Sequence, residues 1–462
     1  MPNAYVLGLG QSGLSASRLL KAKGWQVTAS DRASSPSLEK HKIQLEAEGI
    51  TVELGSFPNF DRQNQLQQPT HLIVVSPGVP WDHPTLIRAR ELGIETIGEI
   101  ELAWRYLSHI PWVGITGTNG KTTTTALTAA IFQAAGLNAV ACGNIGIPAC
   151  EIALNTANPP DWIIAELSSY QIESAQSVKP RIGIWTTFTP DHLNRHYTLE
   201  AYRDVKAHLM HQSSQAILNG DDAYLAKHGD AILANSQKIW ISCADATPEV
   251  MANGAYIQND TVLFAGEVVL PLEKLQLLGI HNQQNLLMSV AAAKLAGIDS
   301  KHIEEAVAKF KGVPHRLEYI CNYKGIHFIN DSKATNYDAA EVGLRSVKSP
   351  TILIAGGQPK QGDARSWLEM IRLKAIAVLL IGEAAPAFAK MLEGIQYHNY
   401  EIVETLEVAV PRAVAIAQSK LYENGSESQP TSVLFSPACA SFDQFANFEQ
   451  RGDRFRNLCL QL

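Results

Sequence analysis

The chain has no cysteine pair at C-x-x-C spacing, no long apolar run and no excess of positive charge. Its 6 cysteines (Cys142, Cys150, Cys243, Cys321, Cys439 and Cys459) are scattered. That scatter argues against zinc-ligand spacing and a secreted disulfide framework, and fits reduced thiols. No stretch approaches the roughly 18 apolar residues of a membrane-spanning helix. Lys and Arg number 38 against 45 Asp and Glu, a formal net charge of -7. Nucleic acid and anionic membranes are therefore poor partners on electrostatic grounds. The N-terminus enters a strand directly, without a basic segment leading into an apolar signal core. These absences predict a soluble cytoplasmic protein with no nucleic-acid or membrane partner. What remains is 462 residues, 46% hydrophobic and 18% charged, enough for large buried cores and about three domains.

Short apolar strands alternate with helical patterns almost throughout, the signature of α/β units with parallel sheets. The first hundred residues supply strands at "AYVLGLG", "QVTASD", "THLIVVSPG" and "IETIGE". A second block opens at "PWVGITGTNGKTTTT", passes a polar, antiparallel region around residues 235–275, and ends near the connector "FKGVPHR". A third block has strand-then-loop units at "IHFINDSKATN", "TILIAGGQPKQGD", "AVLLIGEA" and "SVLFSPACAS". The stretch "YENGSESQPTS", residues 422–432, is expected to be loose. The resulting expectation is three α/β domains: 1–105, Rossmann-like; 106–313, P-loop ATPase-like; and 314–462, Rossmann-like again.

Two glycine-rich turns stand out. Gly8, Gly10 and Gly13 spell G-x-G-x-x-G between a strand and a helix, which suits a diphosphate and, taken alone, suggests a nicotinamide enzyme. Asp31 and Arg32 follow at about the distance of an acidic ribose reader. The second turn, Gly117-Thr118-Asn119-Gly120-Lys121-Thr122, also lies between a strand and a helix. Its glycines let N–H groups converge on phosphate oxygens at a helix start. Lys121 suits β/γ-phosphate charge and the Thr122 hydroxyl suits Mg²⁺. The strict Walker spacing fails, because Ile115 stands where its first glycine belongs. Glu166 ends the strand "DWIIAE", and Asp191-His192 follow "RIGIWTTF". Singly, Glu166 reads as a cap, His192 as a structural loop residue and Lys206 as an exposed helical lysine.

Together these positions resemble the Mur ligase family, the ATP-dependent amide-bond ligases of peptidoglycan precursor synthesis. The family's "GTNGKT" matches Gly117–Thr122, with Thr123 following; its post-strand Glu matches Glu166, its "DH" Asp191-His192, and its carbamylated lysine Lys206. "GIHNQQN" carries His281, Asn282 and Asn285; "PHRLE" carries Arg316; "NDSKATN" carries Asp331, Lys333 and Thr335. The likeness implies that Lys121, His192 and Lys206 are catalytic, and that Asn285, Arg316 and Asp331 join the loop in binding ATP. It implies two Mg²⁺ ions, one on Thr122 and Glu166, the other on His192 and a CO₂-derived carbamate at Lys206.

The final motif, "SPACASFDQFANFEQRG", residues 436–452, is similar to the D-glutamate-adding branch of that family. It implies that Ser441, Phe442, Phe448, Thr335, Lys360 and Lys333 hold D-glutamate. The other substrate would be UDP-N-acetylmuramoyl-L-alanine, held by Gln11, Ser12, Asp31, Arg32, Ser76, Gly78, Asn144, Ser168 and Gln171. The enzyme would act as a cytoplasmic monomer in cell-wall growth, and so in cell shape, division and the cell cycle. Closure of three domains around three substrates would hinge at "FKGVPHR". Rival readings are a Rossmann oxidoreductase, a folylpolyglutamate synthase sharing the ATP chemistry, and a non-enzymatic nucleotide-gated binding protein.

Overall fold

The structure, a computed structural model, describes residues 1–60, 69–244, 246–347, 350–359, 362–423 and 431–462. The chain packs as two compact units: Met1–Leu275 with Gln283–Phe310, and Gln276–Asn282 with Lys311–Leu462.

The first unit contains two sheets. One is parallel, in the order β3-β2-β1-β4-β5, from β1 (Asn3–Leu7), β2 (Gln26–Asp31), β3 (Thr51–Leu54), β4 (Thr70–Val75) and β5 (Glu95–Gly98). Alternate side chains leave opposite faces of a strand, and both faces are covered. Leu72 and Val74 join the core under α1 (Gln11–Ala22) and α4 (Glu99–Leu107), while Ile73 and Val75 join Leu86 and Ala89 of α3 (Pro84–Glu91). α2 (Pro36–Ala47) completes this layer, capped by the Ser35 side chain.

The second sheet runs β14-β13-β12-β11-β10-β9-β6-β8-β7. Its parallel strands are β6 (Trp112–Thr116), β7 (Ala139–Gly143), β8 (Trp162–Glu166), β9 (Ile182–Trp185), β10 (Gln215–Asn219), β11 (Lys238–Ser242) and β12 (Ala255–Gln258). β13 (Thr261–Phe264) and β14 (Glu267–Pro271) extend it antiparallel. The expected antiparallel region thus begins only at β13, because β11 pairs parallel with both β10 and β12. Val113 and Ile115 pack with Leu127 and Phe132 of α5 (Lys121–Ala134) and with Leu286 and Val290 of α12 (Ile280–Leu295). The helices α6 (Ala149–Leu154), α7 (Ser169–Ile172), α8 (Leu193–His196), α9 (Leu199–Gln212), α10 (Ala223–Ile232), α11 (Pro248–Asn253) and α13 (Ser300–Lys309) fill the remaining crossovers and connections.

α4 welds the two sheets into one unit. Its buried Glu99 accepts the Cys150 N–H at 2.6 Å, and its buried Glu101 accepts the Ser177 N–H at 2.9 Å. Residue 105, expected as a domain limit, lies inside this helix. Burial pushes the Glu99 carboxyl up to about 7.

The C-terminal unit is a sheet in the order β15-β16-β20-β17-β18-β19. It comprises β15 (Glu318–Tyr323), antiparallel, then β16 (Ile326–Asn330), β17 (Thr351–Gly356), β18 (Ala375–Ile381), β19 (Tyr400–Glu404) and β20 (Thr431–Phe435), all parallel. Leu353 and Ala355 face the core of α14 (Tyr337–Ser346), α15 (Arg365–Lys374) and α16 (Ala385–Gly394). Ile352 and Ile354 face that of α17 (Leu406–Glu423) and α18 (Phe448–Leu460). Of the stretch expected to be loose, Tyr422 and Glu423 end α17 and Thr431 and Ser432 open β20; 424–430 lie outside the described residues. Ladder hydrogen bonds fix Thr431 and Ser432 opposite Ile326 and His327.

Candidate active site

β6 is buried along its whole length and delivers the phosphate loop to the carboxyl edge of its sheet, where open α/β sheets bind ligands. Gly117 has φ +147°, and a Cβ there would lie 2.0 Å from Thr186 Oγ1. Gly120, the residue before α5, has φ +84°, and its Cβ would lie 2.7 Å from Asn285 Oδ1. Both positions demand glycine, for backbone angle and for space. The threonines after β9 tie the loop down. Thr118 N–H donates to Thr187 O (2.9 Å), Asn119 N–H to Thr187 Oγ1 (2.8 Å), and Thr186 Oγ1 to Asn119 O (2.5 Å).

Lys121 opens α5 and folds over the loop, donating to the carbonyls of Gly117 (2.8 Å) and Thr118 (2.9 Å). Thr122 and Thr123 are buried behind it. Thr124 Oγ1 donates to Asn285 Oδ1 at 3.1 Å, and Thr128 Oγ1 to Ser289 Oγ at 3.1 Å. Asn285 is thereby fixed beside the loop, while His281 and Asn282 of the same motif belong to the other unit. There His281 Nδ1 is 3.1 Å from Ser346 Oγ, and Asn282 Nδ2 donates to Leu278 O.

Lys206 departs from the reading it has when taken singly. It is not an exposed helical lysine but 1% exposed. Its Nζ donates to Gly117 O at 2.9 Å and Thr116 Oγ1 at 3.3 Å, and lies 4.6 Å from the centre of the Tyr202 ring. Burial holds this amine well below the ordinary lysine range; the charge of Lys121 adds to the effect and Asp191 opposes it.

Glu166, also 1% exposed, accepts Asn144 Nδ2 on Oε1 at 2.8 Å. Its Oε2 is buried with no hydrogen-bond partner among the described residues, an uncompensated acceptor of the kind a cation satisfies. Among the described residues no three His, Cys, Asp or Glu side chains converge as a metal site. One carboxylate and a hydroxyl instead fit a Mg²⁺ that completes its shell with phosphate oxygens and water. His192, half-exposed at φ +54°, has Nδ1 3.0 Å from Tyr170 OH and Nε2 3.4 Å from Asp191 Oδ2. Ser168 and Gln171 are spent on each other as the capping box of α7.

In the first sheet, Gly8 (φ +90°) and Gly13 make the turn tight. A Cβ on Gly13 would lie 1.9 Å from Gly8 O, whereas Gly10 and Gly78 face open space. Ser76 Oγ donates to Gly8 O at 2.7 Å. Asp31 accepts the N–H groups of Leu9 (2.8 Å) and Ala33 (2.9 Å), so in this structure it organises the turn. Gln11 and Arg32 are exposed and Ser12 is half-buried beside it.

In the C-terminal unit, Asp331 follows β16, accepting the Leu317 N–H (3.2 Å) and Ser436 Oγ (2.7 Å). Burial pushes its carboxyl up to about 7. Lys333 Nζ stands 3.7 Å from the centre of the Phe448 ring. Ser441 is buried, Arg316 and Thr335 are half-buried, and Phe442 is 67% exposed. Lys360 lies outside the described residues. Sequence reading missed Arg451, 1% exposed, whose guanidinium donates to the carbonyls of Ser332 (2.8 Å), Cys439 (3.0 Å) and Ala440 (2.9 Å). It also missed Thr186, Thr187, Tyr170 and Tyr202. The threonines carried one signal, a position just past a buried strand.

Three family models match the chain: the Mur ligase MurD-like N-terminal domain over residues 2–98, the Mur ligase middle domain over 115–293, and the Mur ligase glutamate ligase domain over 315–439. The chain is 57% identical over 464 positions to a Microcystis aeruginosa protein named "UDP-N-acetylmuramoylalanine--D-glutamate ligase", covering 100% of both. It is 58% identical over 468 positions to the Trichormus variabilis protein of that name, covering 100% of this chain and 99% of the relative. Two solved structures share the fold. They are the Thermotoga maritima UDP-N-acetylmuramate-alanine ligase (TM-score 0.59, 17% identity, 100% and 99% of the chains) and the pseudomurein peptide ligase type C of Methanothermus fervidus (0.57, 20%, 100% of both). With three matching domain models in order and relatives alike from end to end, the chain belongs to the Mur ligase family.

Proposed function

We propose that this chain is the ATP-dependent ligase that adds D-glutamate to UDP-N-acetylmuramoyl-L-alanine in peptidoglycan precursor synthesis. The observation that carries this reading is its 57% identity, over its whole length, to a relative named for that reaction. The geometry supports it: a phosphate loop and a buried carboxylate stand at the carboxyl ends of the neighbouring strands β6 and β8, and a buried lysine of α9 reaches the loop's Gly117 carbonyl. A Rossmann oxidoreductase would leave all three without a role.

Amide formation from a carboxylate needs an activated carbonyl. The L-alanyl carboxylate attacks the ATP γ-phosphorus, the β–γ bridging bond breaks, and ADP leaves an acyl phosphate. The D-glutamate amine then attacks the acyl carbon, phosphate departs with the former carboxylate oxygen, and the amine loses a proton. Lys121 and the loop N–H groups bind the transferring phosphate and offset the repulsion between two anions. Thr122 and Glu166 would hold one Mg²⁺, with His192 and a carbamate on Lys206 serving a second. When bound, these ions neutralise charge developing on the phosphoryl oxygens. Asn285, Arg316 and Asp331 take the rest of ATP, and residues 1–105, through Gln11, Ser12, Asp31, Arg32, Ser76 and Gly78, take the UDP end. Asn144, Ser168 and Gln171 serve the muramoyl portion. Lys333, Thr335, Lys360, Ser441, Phe442 and Phe448 hold D-glutamate on residues 314–462, and domain closure hinges at 310–316, next to the limit of the first unit at Phe310. The enzyme works as a cytoplasmic monomer and supports cell-wall growth and division; no helix among the described residues is long and apolar enough to cross a membrane.

The test is phosphate release from ATP with each substrate supplied or withheld. Release that requires UDP-N-acetylmuramoyl-L-alanine and D-glutamate together is expected. Release indifferent to D-glutamate, with no adduct in the product's mass spectrum, would sink the reading.

A further inference from the structure

The segment after β4 holds Ser76 and Gly78 and makes two successive turns, closed by Val79 N–H to Ser76 O (3.0 Å) and His83 N–H to Pro80 O (2.9 Å). Facing it within the same unit is α8, the turn that follows Asp191-His192. Non-glycine residues at positive φ bracket α8: His192 at 54° and Tyr197 at 67°. Such angles persist in side-chain-bearing residues only where surrounding contacts impose them.

Those contacts run through Arg195. Its Nε donates to Glu173 Oε1 at 2.9 Å, and its Nη2 binds the same oxygen and also donates to Val79 O at 3.1 Å. The guanidinium carbon stands 4.8 Å from the centre of the Tyr170 ring, and Tyr170 OH is 3.0 Å from His192 Nδ1. Beyond α8, Tyr197 OH donates to Asp82 Oδ2 at 2.5 Å. The Arg195 and Glu173 side chains are each 11% exposed. A simple structural ion pair needs no third partner, yet Arg195 divides its planar donor set between a carboxylate of the central sheet's segment and a backbone carbonyl of the Ser76–His83 segment. A lysine ammonium lacks that fixed fork.

We propose that Arg195 is a positioning residue that joins the Ser76–His83 segment to the His192 loop, so that a sugar nucleotide seated on the first sets Tyr170 and His192 in the second. This rests on the ligase reading, which places the sugar nucleotide on Ser76 and Gly78. A ligand pressing on that segment displaces the Val79 carbonyl, the guanidinium follows it, and the stacked Tyr170 carries the change to His192. The two substrate sites are therefore thermodynamically coupled, and coupling between sites is reciprocal.

Calorimetry with a non-hydrolysable ATP analogue and Mg²⁺, with and without saturating UDP-N-acetylmuramoyl-L-alanine, measures the coupling. In the native chain the sugar nucleotide is expected to tighten the analogue at least about fivefold, within the usual range of coupling between sites. In Arg195→Gln that factor falls below about twofold, while the Kd of the sugar nucleotide alone moves less than about threefold. Arg195→Lys does not restore it. Tyr197→Phe removes one hydroxyl from a 71% exposed side chain and gives an intermediate factor. Full coupling in a folded Arg195→Gln overturns the proposal, as does no coupling in the native chain. Should Arg195→Gln not fold, unchanged coupling in Tyr197→Phe overturns it instead. Failure of the native chain to bind the sugar nucleotide at all is read in the same titration and counts against the ligase reading itself.

Discussion

After β1 the chain turns at Gly8, and after β6 it turns at Gly117, each time entering a helix. The first turn is tightened by its own sheet: Gly8 meets Ser76, Gly13 meets the Gly8 carbonyl, and Asp31 holds the Leu9 N–H. Its outer side, at Gly10, is open, and α1 opens on Gln11 and Ser12 rather than on a lysine. The second turn is crowded by side chains from other strands and helices, Thr186 and Asn285, and its helix opens on Lys121 with Lys206 bonded to the same Gly117 carbonyl. One backbone plan thus serves two tasks. Glycine spacing specifies close packing of strand, turn and helix, whereas Glu166 at the end of β8 and Lys206 on α9 come from elements that the loop motif does not contain.

The comparison breaks if substitutions in the two turns have similar consequences. The largest expected effect is at Lys121. Lys121→Ala should lower kcat about 10³-fold, the scale of removing one preorganised charge from a transition state, with the KM for sugar nucleotide little changed in steady-state assays. Lys206→Ala should cost about 10²-fold, near the lower end of that scale. Formate or acetate should restore part of the rate if the lysine acts as a carbamate, since a small carboxylate can supply the missing oxygens; loss without rescue would point to the amine itself.

These outcomes bear on how far the sequence could be read. The phosphate loop was legible because Gly117, Gly120 and Lys121 are contiguous and their roles are local. Lys206 was not: on α9 it stands among Arg203, Asp204 and His208, a pattern that reads as a solvated face. The carbonyl that its buried Nζ binds, Gly117 O, is 89 positions away. Arg451 was hidden for the same reason, since its carbonyl partners belong to loops after two other strands. The alternation of strands and helices gave the α/β fold, but not β3, β7, β10, β15 and β19, all of them only four to six residues long. Residue 105 falls between the matched N-terminal and middle domains, but the ties of Glu99 and Glu101 of α4 to Cys150 and Ser177 across that limit were not legible, because the partners are 51 and 76 positions away.

Within the first turn, Gly13 and Gly10 should separate by stability. Gly13→Ala drives a Cβ to 1.9 Å from a backbone carbonyl and should cost about 3 kcal/mol, the upper part of the overpacking range. Gly10→Ala adds a methyl to open space and should cost under about 1 kcal/mol, as an alanine at a helix N-cap does. Urea unfolding midpoints distinguish the two, and equal midpoints would contradict the division between packing and ligand-facing glycines.

The smallest effect is a pH slope in the C-terminal unit. Folded Asp331 keeps its proton up to about 7, against 3.8 for the free side chain. Between those values the folded state binds a proton that the unfolded state has lost, so this group's stabilisation is full below about 4 and declines as pH rises toward 7. The decline is at most about 1.4 kcal/mol per pH unit. Subtracting the urea-derived stability of Asp331→Asn from that of the native chain isolates it, because His281 of the same unit, held down at about 4 by burial, contributes in the opposite sense.

The central claim is that the phosphate loop activates a carboxylate as an acyl phosphate. It is tested most directly with UDP-N-acetylmuramoyl-L-alanine labelled with ¹⁸O in both oxygens of its terminal carboxylate. The account predicts that phosphate released on adding ATP and D-glutamate carries a single ¹⁸O, transferred from that carboxylate. Unlabelled phosphate formed in step with the amide product would contradict it.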